Sequence, residues 1–126
     1  MICRRVFLVT FLLAIGVAAF GQTANKKEST IIGDVIDIKS YVAYGMKADN
    51  PDRRAAAEAS MEAGNPLGIL EKSTGKIYIV VMAAQNENAN GKLKEYLGLH
   101  VYAKGVVHKK GSIQLIVMSD IGKSIK

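Results

Sequence analysis

Tryptophan is absent from this chain of 126 residues, cysteine occurs once, and proline and histidine occur twice each. A single cysteine excludes a disulfide framework and a Cys-rich zinc site. Two histidines leave little material for imidazole catalysis. The signatures G-x-S-x-G, H-E-x-x-H, G-x-x-x-x-G-K-[ST] and G-x-G-x-x-G are all missing, which lowers the case for a serine hydrolase, a zinc protease or a nucleotide enzyme. No internal repeat or low-complexity tract occurs. What is present is a length suited to one compact domain, a hydrophobic content of 49% that rules out a disordered tail, and 17 Lys+Arg against 11 Asp+Glu.

The N-terminus has the layout of a secretory signal peptide. Arg4 and Arg5 precede an apolar run, Val6 to Phe20, of 15 residues without a charge. Ala19 and Gly21 supply small residues at a cleavage site, so processing is expected between Gly21 and Gln22. A spanning helix needs roughly 20 apolar residues, and Gly21-Gln22-Thr23 ends this run early. Loss of Arg4 and Arg5 leaves 15 Lys+Arg against 11 Asp+Glu, a net of +4. It also removes Cys3, which lies ahead of the apolar run and not where a lipoprotein cysteine would be. The expectation is a periplasmic or secreted protein with no thiol chemistry and no membrane span after cleavage.

Residues 22–29 read as a loose polar lead-in and 30–126 as one domain. Thr30 to Tyr44, rich in β-branched and aromatic residues, predicts a first strand, bulged or bent near Gly33 to Asp37 to reconcile its imperfect alternation. Asn50-Pro51-Asp52 opens a helix by capping, by a fixed φ and by charge. Its body is alanine-rich, and Gly64 and Pro66 stop it. Residues 67–83 predict a hairpin about the turn Lys72 to Gly75. Its second strand is apolar on both faces, so the alanine helix is its expected second cover. Leu93 to Leu97 predicts a short helix ended by Gly98. Leu99 to His108 and Ser112 to Asp120 predict the last two strands, with Val101, Ala103 and Val107 on one face of the first and Ile113, Leu115 and Val117 inward on the second.

Five short strands, with one helix after the first and a short one between the third and fourth, match a mainly β, five-stranded Greek-key barrel of the OB-fold type. Leu99 to Ile121 (LHVYAKGVVHKKGSIQLIVMSDI) resembles the last two strands of many OB barrels. Over most of the mature length, the chain is similar to a group of small exported bacterial OB-like domains of uncharacterised function. The matching residues are Asp37, Tyr41, Gly64 to Leu70, Gly75 to Tyr78, and Val101 to Val107. In that group a cysteine often follows the first strand's Asp, and two more sit four apart on the helix, with a His nearby. Here Ser40 follows Asp37, Ala57 and Met61 stand on the helix, and no His precedes His100. A metal or redox role does not carry over, and neither a metal nor a cofactor is expected.

The remaining polar constellations have plain structural accounts. His100 and His108 are eight apart on a strand, which at roughly 3.3 Å per residue separates them by about 26 Å, too far to share a metal. Asp34 and Asp37 fall on opposite faces of a regular strand. Glu58, Glu62 and Arg54 fit a solvated, ion-paired helix face.

The reading is therefore a non-catalytic exported module for a small molecule, a glycan or an envelope protein. Tyr41, Tyr44 and Tyr78 are its expected contacts, at the mouth between the first strand's end and the 67–83 hairpin. One alternative is an anionic-polymer or nucleic-acid binder with Lys39, Lys76 and Lys104 as basic contacts, although export disfavours nucleic acid. A second is a structural protein-interaction domain. The oligomeric state is left open.

Overall fold

The computed structural model describes residues 27–125. The expected signal peptide and the first residues of the lead-in lie outside the described residues. The chain runs β1 (Ser29–Asp37), α1 (Ile38–Tyr44), α2 (Pro51–Glu62), β2 (Leu67–Glu71), β3 (Ile77–Val81), α3 (Asn90–Leu93), a 3-10 turn (Lys94–Tyr96), β4 (His100–Lys110) and β5 (Ile113–Lys123). The five strands form one mixed sheet that closes on itself in the order β1-β2-β3-β5-β4. The β3–β5 seam is parallel and the others are antiparallel.

Closure depends on β1 changing neighbours along its length. Its first part pairs with β4, from Ser29 opposite Gly105 to Asp34 opposite His100, and its second part pairs with β2, from Gly33 opposite Glu71 to Asp37 opposite Leu67. The exchange is centred on Gly33, where a Cβ would lie 2.0 Å from the Leu70 carbonyl oxygen. A side chain there would separate the strands. The expected irregularity of β1 is thus a change of partner without a register shift. A bulge lies instead on β5, at Ser119, opposite the step from Lys104 to Gly105 of β4.

The expected first strand is corrected at its second half, which is helical. Asp37 is the N-cap of α1: its carboxylate accepts from the Ser40 N–H at 3.2 Å and from the Ser40 hydroxyl. Gly45, at φ +65°, closes the helix in the left-handed conformation. The two caps outweigh the strand preference of Ile38, Tyr41 and Val42. Two helices, not one, therefore join β1 to β2.

The interior holds Ile31 and Val35 of β1, Leu67 and Ile69 of β2, Tyr78 and Val80 of β3, Val101 and Ala103 of β4, and Ile116 and Met118 of β5. Burying each large aliphatic side chain contributes about 1.5–3 kcal/mol. On β5 the expected inward set is reversed: Ile116 and Met118 point in, while Leu115 and Val117 are half-buried outside. Both sets are equally apolar, so alternation alone cannot choose between them.

Helix α2 buries only Ala57 and packs against β1. It does not cover β3 as expected; Ile77, Ile79 and Val81 stay half-buried on the outer face. The nearest α2 ion pair is Arg53 with Asp49 at 3.4 Å, both exposed, and such pairs contribute little. Arg54, expected on the ion-paired face, has its Nε enclosed with no partner among the described residues. No helix among the described residues is long and apolar enough to cross a membrane.

Burial, and secondly the Glu71 carboxylate, push the Tyr78 phenol above its ordinary pKa of 10.0. A raised value in the fold means that this stability is fully present below the ordinary pKa and lost as pH rises through the folded one. In an alkaline titration followed by phenolate absorbance, the last tyrosine to ionise is expected to be Tyr78. Tyr78→Phe should remove that late step and blunt the alkaline loss of stability. A late step that survives the substitution would assign it elsewhere.

Candidate functional site

The bulge builds a cleft. Lys104 faces Asp120 and Gly105 faces Met118, so Ser119 is the extra residue of β5. The close approach of the two strands needs glycine at 105, where a Cβ would lie 2.1 Å from the Val117 carbonyl oxygen. The Ser119 hydroxyl donates to Glu28 Oε1 at 2.8 Å, with the Lys104 carbonyl oxygen 3.3 Å away as the weaker acceptor of the same proton, which holds the bulge in place. Met118 stays inside while Ser119 and Asp120 are set on the rim.

The opposite wall is α3 and the 3-10 turn. Leu93 and Leu97 anchor it in the interior. Asn90 ties it to the start of β2: its amide donates to the Asn65 carbonyl at 3.0 Å, and its side-chain oxygen accepts from the Leu67 N–H at 3.1 Å. Asn88 in turn accepts from the Asn90 N–H at 2.8 Å. A short polar segment is thereby fixed without much burial of its own.

Between these walls lies a cleft of about 550 Å³, within the range common for small-ligand sites. Met82, Tyr96, Met118 and Ile121 give it an apolar floor, and Glu87, Glu95 and Asp120 face one cation, Lys92, around its rim. The rim is acidic on a chain whose net charge is +6. Methionine floors accommodate varied shapes. Among the described residues no cluster of His, Cys, Asp and Glu is arranged to hold a metal ion.

A second polar pair lies on the outer face of the sheet. His100 Nδ1 and Asp34 Oδ1 are 2.8 Å apart, brought face to face by strand pairing. The sequence does not reveal this pairing, because 66 positions separate the two residues. His100 Nε2 is enclosed and has no partner among the described residues. Among the described residues, no hydroxyl or thiol stands against His100 Nε2 as a nucleophile for it to activate.

The tyrosines singled out in the sequence do not share a surface. Tyr41 and Tyr44 lie on α1, half-buried and exposed respectively, while Tyr78 faces the ring interior. Lys39 is on α1, Lys76 precedes β3, and Lys104 stands opposite Asp120. None of the six lines the cleft. The cleft residues left one trace in the sequence: the inward series Ile116, Met118, Ile121 breaks period two at Ser119-Asp120, which is what a bulge does to a strand. The chain matches no family model, no curated protein and no solved structure.

Proposed function

We propose that this chain is a non-catalytic binding module on an OB-type barrel, exported as its N-terminal pattern suggests, and that its cleft takes a small organic molecule with an apolar body and a cationic group. The carrying observation is the pairing of an apolar floor with a carboxylate-rich rim in one cleft. Supporting the OB assignment are the strand order, the parallel β3–β5 seam and the helix between β3 and β4. The cation is favoured because partial desolvation in a cleft strengthens its attraction to the rim carboxylates.

OB barrels that hold oligonucleotides use the outer face of strands two and three. Here that face carries half-buried Ile77, Ile79 and Val81, with Leu70 buried beside them. It offers neither stacking rings nor lysines, and so does not support nucleic acid. Its aliphatic character, continued by Leu115 and Val117, favours a protein partner as the second reading. Crosslinking through that face would capture such a partner.

Phenethylamine and its neutral counterpart phenethyl alcohol test the cleft. In NMR titrations the amine is expected to shift resonances of residues 82, 96 and 118–121. It should bind about tenfold more tightly than the alcohol, which corresponds to about 1.4 kcal/mol. Glu95→Gln with Asp120→Asn should abolish that preference while leaving the melting temperature unchanged. Equal binding of the two probes would refute the cationic class, and shifts confined to other residues would refute the site.

A further inference from the structure

Strand direction gathers the lysines of distant segments at one end of the ring. Because β3 and β5 run parallel, with Ile79 opposite Leu115, the turn before β3 and the turn before β5 lie at the same end. β1 runs antiparallel to β4, with Ser29 opposite Gly105, so the start of β1 is there too. Lys27, Lys72, Lys76, Lys109 and Lys110 therefore lie toward this same end, and all five are exposed. The acids beside them are Glu28, which accepts from Ser119, and Glu71, which accepts from Thr74.

The β4–β5 hairpin projects from this end. β1 pairing stops at Gly105 and β3 pairing begins at Leu115, so residues 109–114 pair only with each other. The hairpin closes on Lys110 opposite Ile113, around Gly111 at φ +59°. Ile113 is 59% exposed. Lysines alone would have a simple account, since charge on a projecting edge keeps other strands from adding to it. An isoleucine presented at the same tip works against that purpose.

The geometry points to this basic end as a docking surface for an anionic lipid bilayer. The lysines supply attraction to acidic headgroups, at roughly a fivefold gain in affinity for each lysine near the surface. Ile113, at the tip, enters the boundary between headgroups and acyl chains. A soluble polyanion would use the lysines and leave the isoleucine without a role. Lipid therefore accounts for both features. This surface lies at the ends of strands and shares no lining residue with the cleft.

The test places a polarity-sensitive fluorophore on the full chain at Ser112→Cys, with Cys3→Ser removing the other thiol. A probe at the tip reads local insertion and is separate from any vesicle binding by the apolar N-terminal run. The signal is expected to rise with vesicles of phosphatidylcholine and phosphatidylglycerol in roughly a three-to-one ratio, to stay flat with phosphatidylcholine alone, and to fall as salt is added. Lys109→Glu with Lys110→Glu should weaken the response at least about tenfold. Ile113→Ser should weaken it severalfold with the salt dependence kept. An equal rise with neutral vesicles, or no effect of the lysine changes, would overturn the proposal. So would binding of soluble polyphosphate that matches the vesicles and ignores Ile113, which would make the partner a polymer. These side chains are exposed, and the salt series on the otherwise unsubstituted labelled chain stands even if one variant folds poorly.

Discussion

Gly98→Ala is expected to lower stability by roughly 3 kcal/mol or more, the sum of a left-handed backbone and a collision. Gly98 sits at φ +77°, and a Cβ there would lie 1.9 Å from the Ala48 carbonyl oxygen. Its N–H donates to the Val35 carbonyl at 3.0 Å. Neighbouring Leu97 bridges to Val35. One glycine thus seats the α1–α2 connection against β1 and the chain entering β4. Alanine would reduce the freedom of the unfolded chain, which favours folding by about 0.4–1 kcal/mol, but that gain is smaller than the clash. At about 4–8 °C per kcal/mol for a domain of this size, the melting temperature should fall by more than about 12 °C. Gly91→Ala is the control: nothing lies within 4 Å of its Cβ position. A fall of only a few degrees at Gly98 would mean that the Ala48 segment yields easily and is not held by this contact.

Leu93→Ala should cost about 2–5 kcal/mol. Leu93 is fully enclosed and is the one buried side chain of α3. It packs in the same interior cluster as Leu97, Ile116 and Met118. Its loss removes the main anchor of one cleft wall, so the cleft should loosen along with the fold. Hydrogen exchange at residues 90–97 is expected to quicken more than exchange in β1, and phenethylamine affinity should fall in parallel. Leu93→Met, close in volume, should retain both properties within about 1.5 kcal/mol. Uniform quickening across all strands would show instead that α3 unfolds only with the whole domain.

Much of the architecture is legible in the residues. Asn50-Pro51-Asp52 starts α2 at the expected place, and Lys72 to Gly75 turns the β2–β3 hairpin. These signals are local: a capping oxygen, a fixed φ and a glycine each act within a few residues. The missed α1 also has local signals, Asp37 three residues before Ser40 and Gly45 behind it. They compete with a β-branched and aromatic sequence, and capping wins where the strand ends: Asp37 Oδ2 accepts from the Ser40 N–H and hydroxyl, while its Oδ1 is enclosed with no partner among the described residues.

The sequence by itself determined the number and order of strands along the chain and the main helix stops. Tertiary structure alone decided which face of β5 is inside and which charged groups meet. Ile113, Leu115 and Val117 are as apolar as Ile116 and Met118, so their orientation was set by closing the ring against β3 and β4. Asp120 and Glu95 share a cleft only because the bulge sets Asp120 on the rim facing the 3-10 turn. The lysines of three distant segments share an end only because β3 and β5 are parallel. Strand pairing acts between residues far apart in the chain, and local preference carries no information about that pairing.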